Sequence, residues 1–206
     1  MTITEAIGQC KSTGFSGWEL VEHAQKLVAG QMTYSYFNSF DMPETAFEKG
    51  MGYCWQQAGA LNAILAGLGI ESRLVHALRN RFPDVVRDGV TIHIGVSGHV
   101  WCRVRVGQEE KAVCPGSTTN HPGVFHFETL SKVKEFRGPI WILSYLGSAA
   151  INHRRGRRFM DQKAKLEALH NPEKCPCRKK SCPRYKNCEE CKANHYGKGG
   201  KPACER

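Results

Sequence analysis

Apolar positions at helical spacing open the chain. Trp18, Val21, Ala24, Leu27 and Val28 recur on one face, behind a Ser16-x-x-Glu19 pattern of the kind that caps a helix start, and Gly30 suits its stop. Residues 32–53 lack a period and read as a loop, with a turn of helix before Gly50 and Gly52. Cys54, Ala58, Leu61, Leu65 and Leu68 then follow a second helical stripe, rich in small residues and suited to burial in the middle of a domain. Beyond Gly67 and Gly69 the period changes to two. Ile70 to Ala77 predicts a strand and residues 78–89 a charged loop. Val90, Ile92, Ile94 and Val96 alternate, as do Val100, Cys102, Val104 and Val106, and Ser97-Gly98 between them predicts a hairpin turn. A third run ends at Val113-Cys114, and Pro139 to Leu146 reads as one more strand. Residues 153–170 predict a basic helix opened by Arg154, Arg155, Arg157 and Arg158. There is no internal repeat. Helices first and an antiparallel sheet after them predict an α+β domain.

Charge divides the chain in two. Residues 1–151 carry 13 Lys and Arg against 13 Asp and Glu, and residues 152–206 carry 16 against 6, so the whole formal charge of +10 lies in the second stretch. Six of the ten cysteines lie there too. This predicts a neutral domain at 1–150, a basic helical linker at 151–172 and a cysteine-rich unit at 173–206. A chain that is 41% hydrophobic and 23% charged supplies a core, which excludes wholesale disorder. The longest nearly uncharged stretch, Gly138 to Asn152, is too short and too rich in Gly and Ser to span a bilayer, so no membrane partner is expected. The N-terminus shows no basic segment followed by an apolar run, so a reducing cytoplasm is the expected compartment. In that compartment cysteines read first as nucleophiles, metal ligands or buried thiols.

Cys54 stands where a Gly-rich stretch meets a helix start, a place where unpaired N–H groups favour a thiolate. His99 opens a strand farther on. A cysteine at a helix start with a distant strand histidine is the layout of a nucleophile and its base. A cysteine on an apolar helix is as often a small core residue. Cys102, alternating with valines, is expected in the core, and Cys10 is expected to be inert. His93, His121 and His126 are expected at the surface.

Gly52-Tyr53-Cys54-Trp55-Gln56-Gln57-Ala58, followed by Leu68-Gly69-Ile70 and Ser72-Arg73-Leu74-Val75, resembles the cysteine helix and next strand of the transglutaminase-like superfamily. Gly98-His99-Val100-Trp101 resembles its His-x-Trp strand start. The resemblance covers about residues 16–146 and implies a papain-like core, with a central cysteine helix packed on an antiparallel sheet. It implies a Cys-His-Asp triad acting on peptide or protein amides, with Trp55 and Trp101 shaping the substrate groove. Where the family places Asp-Pro, fifteen residues after the histidine, this chain has Cys114-Pro115. Three readings are open there: a Cys54–His99 dyad, a ring oriented by Asn120, or a site that binds without catalysing. Cys114 beside His99 also admits a thiolate, a metal ligand or a redox partner.

The tail runs Cys175-x-Cys177-x4-Cys182-x5-Cys188-x2-Cys191-x3-His195-x8-Cys204 with almost no apolar residue between. Units this small and this polar need metal or disulfides to hold them. Cys188-x2-Cys191-x3-His195 is a zinc spacing. Seven donors serve one zinc with three to spare, or two zincs if one thiolate bridges; a four-thiolate iron–sulfur cluster is the alternative. The segment also resembles small bacterial and archaeal cysteine-rich domains of uncharacterised function. Its basic residues, with Arg178, Lys179, Lys180, Tyr185 and Tyr196, suit nucleic acid, and they equally offset the charge of metal thiolates. Two functions follow: a cysteine-dependent acyl transferase or amide hydrolase with a zinc tail, or a catalytically silent core whose tail contacts nucleic acid or protein.

Overall fold

The computed structural model describes residues 1–87, 90–92, 95–137, 139–169 and 171–206. The chain divides into two units, Met1–His153 and Arg154–Arg206.

The first unit opens with α1 (Ile3–Ser12) and α2 (Gly17–Gln31). α1 begins in a reciprocal cap, Thr2 Oγ1 accepting the Glu5 N–H at 3.1 Å and Glu5 accepting the Thr2 N–H at 2.7 Å. α2 starts where Ser16 predicts, but the Ser16 side chain makes no capping bond, and the helix runs through Gly30 to Gln31. β1 (Thr33–Tyr34), α3 (Pro43–Glu48) and β2 (Met51–Gly52) fill the stretch read as a loop, and α3 supplies the expected helical turn before Gly50. β1 and β2 pair in parallel, Tyr34 opposite Gly52. The chain then enters α4 (Cys54–Gly67).

α4 is the axis of the core. Trp55 to Leu61, Ile64 and Leu65 are buried, against Val21, Ala24 and Val28 of α2 and Ala46 and Phe47 of α3. Small and apolar residues, with two glutamines whose amides are hydrogen-bonded, suit this burial. Gly59 is needed for the close approach of α3: a Cβ there would lie 2.4 Å from Pro43 Cγ.

The sheet lies on the far side of α4. β3 (Glu71–Phe82) pairs antiparallel with β6 (Gly95–Val106), and β6 with β7 (Glu109–Val113). β8 (Glu128–Thr129) and β9 (Lys134–Glu135) both pair with β3. β4 (Val85–Arg87) and β5 (Val90–Ile92) form a separate antiparallel pair. This differs from the predicted hairpin. Residues 78–82, read as loop, continue β3, and Ser97-Gly98 is no turn but lies inside β6. Polar residues line this part of the pair, so alternation alone suggested a break. Backbone pairing continues through it, with a register shift between Ala77 and Asn80, where the buried Asn80 amide bonds Ala77 O and Ser97 O. Part of the alternating run, including His93, lies outside the described residues.

Pro139–Leu146 is also not a strand. It is the first part of α5 (Pro139–Ala168). Tyr145 packs on Trp55 with ring centroids 4.7 Å apart and donates to Phe40 O at 2.8 Å, and Ala149 is fully buried. These contacts outweigh the β-like composition of the run. No helix among the described residues is long and apolar enough to cross a membrane.

In the second unit, α6 (Cys188–Tyr196) buries none of its residues. Among the described residues of 171–206 only Pro202 is buried.

Candidate active site and a cysteine-rich hollow

The start of α4 is pinned from three directions by one side chain. Gln56 Oε1 accepts the Tyr53 N–H at 3.0 Å, and its amide nitrogen donates to Asn38 O and Asp41 O, both at 2.8 Å. Gly52 is required beside it: a Cβ there would lie 2.8 Å from Met32 Cε and 2.9 Å from Gln56 Cβ. Gln57, also buried, donates to Met32 O at 3.2 Å. Two glutamines in a buried helix thus tie the loop before the helix to its first turn.

Cys54, half-buried, is the first residue of α4. The Val100 N–H, the Tyr34 hydroxyl and the Trp55 N–H are placed to stabilise its thiolate, in that order. The Val100 contact brings the sulfur to the opening residues of the His99-Val100-Trp101 segment of β6. These donors favour a thiolate, yet burial outweighs them and the thiol is pushed above its ordinary value.

His99 is 5% exposed. Its ring lies in an apolar box, edge-on to Phe127 at 4.6 Å and Phe82 at 5.1 Å, and stacked on Trp101 at 6.0 Å. Burial first, and His126 nearby, push its pKa down to about 3, so the ring is neutral at physiological pH. His99 Nε2 lies 3.3 Å from Cys114 Sγ. The tautomer protonated on Nε2 donates to that sulfur and carries its lone pair on Nδ1. Cys114 is itself buried, its thiol pushed up to about 12 by burial, while the Gly116 N–H and the Asn120 amide draw it the other way. The resting site is therefore a neutral thiol, a neutral imidazole and a second neutral thiol.

Asn120 engages both ends of its amide away from His99. Its nitrogen donates to Cys114 O at 2.9 Å and lies 3.1 Å from His126 Nδ1, and its oxygen accepts the His126 N–H at 3.1 Å. His126, expected in solvent, is half-buried at this site, whereas His121 is exposed. Trp101 is 2% exposed and sits under the imidazole with Phe125 and Phe127; Trp55 is 3% exposed and packs between Tyr53 and Tyr145. Both tryptophans thus stand in the packing around the site. Cys102 is buried with Sγ toward Ala58 O, and Cys10 is buried in the core.

Tyr34 and His126 carry no signal in the sequence. Tyr34 lies in an aperiodic stretch twenty residues before Cys54. It reaches the site through the β1–β2 pairing, a contact that no local pattern announces.

In the second unit Cys175, Cys177, Cys182, Cys188, Cys191, His195 and Cys204 all line one hollow of about 50 Å³. Cys175, Cys177, Cys182 and Cys204 are close enough to Cys191 to hold its thiol above its ordinary value after burial. None of the ten cysteines forms a disulfide. Among the described residues no group of three or more is drawn tightly enough to hold a metal ion. The donor set suits zinc in type and number; the positions shown do not form a coordination shell.

Residues 3–111 match the family model described as Transglutaminase-like superfamily. The match ends just before Cys114, so the third position of the site lies beyond it. No curated protein matches the chain. Among solved structures, the crystal structure of a "putative protease" from Parabacteroides distasonis ATCC 8503 is similar at 14% identity and a TM-score of 0.42, over 66% of this chain and 26% of that one. This chain therefore spans about a quarter of the length of that relative. With a matched stretch that covers more than half of its residues, the chain belongs to the transglutaminase-like superfamily.

Proposed function

We propose that the first unit is a cysteine-dependent enzyme that transfers or hydrolyses acyl groups of peptide or protein amides. The observation that carries this reading is the junction of α4 and β6: the Val100 N–H helps to stabilise a Cys54 thiolate, and the neighbouring His99 has its Nε2 3.3 Å from Sγ of the residue at the third position. His99 takes the thiol proton as the Cys54 S–C bond forms at the amide carbonyl. The same proton goes to the nitrogen as the C–N bond breaks and the amine leaves. Water then attacks the thioester, giving its proton to His99; the new C–O bond forms, the S–C bond breaks and the thiol is restored. An amine in place of water makes the reaction a crosslink, and hydrolysis is the reading preferred here.

Because both groups rest neutral, proton transfer accompanies attack instead of preceding it. The reading is tested by amide turnover on a peptide library: Cys54→Ala abolishes it and His99→Ala lowers it about 100-fold or more, as loss of a general base does. Turnover that survives Cys54→Ala contradicts it.

A neutral thiol at position 114 favours a second reading. A thiol stabilises imidazolium poorly, and a core without turnover is a binding module that presents its tail to nucleic acid or a protein partner. Retained polyanion binding that falls steeply with salt, with no turnover, distinguishes it.

For the tail we propose metal binding, zinc before an iron–sulfur cluster, in a reducing compartment such as the cytoplasm. What supports it is the stretch 171–206, where only Pro202 among the described residues is buried, and seven donors around one hollow. With so little apolar burial, metal binding supplies the folding energy. Purified protein is expected to carry one or two equivalents of metal, and chelation to expose residues 175–204 to protease while residues 1–150 stay protected. A metal-free tail that resists protease contradicts it.

A further inference from the structure

The parallel pairing of β1 with β2 has a chemical result. Ser35 N–H bonds Gly52 O at 3.1 Å and Thr33 N–H bonds Gly50 O at 2.9 Å, which fixes Tyr34 beside the residue two positions before the nucleophile. From there the Tyr34 hydroxyl faces the nucleophile itself: it helps to stabilise a Cys54 thiolate, and the Cys54 backbone N–H helps to stabilise its phenolate. The Tyr36 hydroxyl lies 3.3 Å from it, and the two rings stand edge to face at 5.3 Å.

When a thiol attacks a carbonyl, negative charge develops on oxygen beside the nucleophile, and the nucleophile's own N–H is one donor aimed at it. A hydroxyl in reach of both that N–H and the sulfur stands where this oxygen arrives. The Tyr34 ring is packed against the core cluster, and so is that of Tyr36. The donor is therefore placed before the reaction begins, with little reorganisation needed. Burial pushes the Tyr34 phenol well above its ordinary value, so it keeps its proton at neutral pH.

We propose that Tyr34 is a catalytic residue, whose hydroxyl and the Cys54 N–H together form the oxyanion hole of this site. On arrival the substrate oxygen takes over the Cys54 N–H, and the Tyr34 hydroxyl turns its proton from sulfur to that oxygen. The S–C bond forms and the carbonyl π pair moves onto oxygen, held by two hydrogen bonds. Tyr34 keeps its proton throughout; the pair returns as the amine leaves with the proton carried by His99. The assignment rests on the acyl-transfer reading.

The test compares two reactions at Cys54. Acylation by p-nitrophenyl acetate passes through an oxyanion; alkylation by iodoacetamide displaces iodide at carbon and does not. In Tyr34→Phe, which removes one oxygen and keeps the ring, acylation should fall about 100-fold or more, the usual cost of losing one oxyanion donor, while alkylation stays within a few-fold. A 3-fluorotyrosine at position 34 keeps the shape and strengthens the donor; it should raise acylation and leave alkylation unmoved. Parallel loss of both reactions would show a structural role. A rise in both would show that the hydroxyl caps the thiol. Either result, or unchanged acylation in both variants, overturns the assignment. If the unsubstituted protein acylates no faster than a free cysteine, the acyl-transfer reading itself falls; if it acylates fast and Tyr34→Phe matches it, only the Tyr34 assignment does.

Discussion

Cys114 occupies a seat already furnished for an anion. The Gly116 N–H and the Asn120 side chain both favour its thiolate against burial, and His99 Nε2 faces it at 3.3 Å. A carboxylate in that seat would accept the same bonds and stabilise the imidazolium that forms when Cys54 attacks. Cys114→Asp is therefore expected to raise acylation of Cys54 by roughly 10-fold, a modest share of what an unsuitable triad partner costs. Stopped-flow acylation of the two proteins checks it. If the rate is unmoved and peroxide sensitivity or metal content changes instead, Cys114 is a redox or metal partner of His99. Which residues the sequence revealed follows from how local their signals are. Cys54 and His99 sit in short motifs, Gly52-Tyr53-Cys54 and Gly98-His99-Val100-Trp101, which is what made them candidates in the sequence. Tyr34 and His126 reach the site through pairings across intervening residues, and their neighbours in the chain say nothing about them.

The same distinction governs the elements. α4 was plain because its apolar stripe is long and continuous. α1 was not anticipated from the sequence, although the Thr2-x-x-Glu5 cap stands at its start. β3 and β6 were cut short because Arg79, Asn80 and Arg81 interrupt the alternation, while their backbone groups pair regardless. The first part of α5 was read as a strand from its apolar, β-favouring residues, and Tyr145 on Trp55 shows what overrides them. At this scale the structure assigns a positioning task to Gln56, which joins the α4 start to the 38–41 loop through three bonds. Gln56→Leu leaves the buried Tyr53 N–H and two carbonyls without that partner, and each unpaired buried group costs about 1–3 kcal/mol. We expect a clearly lower unfolding midpoint in urea and slower acylation of Cys54. A midpoint equal to that of the unsubstituted protein would show that the loop holds the nucleophile without Gln56.

For the molecule as a whole, the buried site makes the first unit acid-sensitive. His99 is held neutral down to about 3, far below the ordinary histidine value near 6.5. Between these limits the unfolded chain binds a proton that the folded one refuses, so stability falls as pH falls, by about 1.4 kcal/mol per pH unit for one proton. His126 and His76, lowered in the same direction by burial, add to the slope. His99→Phe should flatten the decline of the urea midpoint between about pH 6 and pH 4; an unchanged decline would place the acid-sensitive group elsewhere. The charge count changes at about residue 152, and the two units of the structure divide between His153 and Arg154. The arrangement of the tail was not legible, because spacing states how many donors exist and not which of them meet.

The central claim is that Cys54 is a nucleophile served by His99. It is tested most directly by mapping acylation across all ten cysteines. The protein is treated briefly at neutral pH with an activated ester, digested and analysed by mass spectrometry, with the tail cysteines and the buried Cys10 as internal references. The account predicts that Cys54 carries the acyl group first and stoichiometrically, and that His99→Ala slows this at Cys54 alone. Labelling of Cys54 no faster than the tail cysteines, or unaffected by His99→Ala, would contradict it.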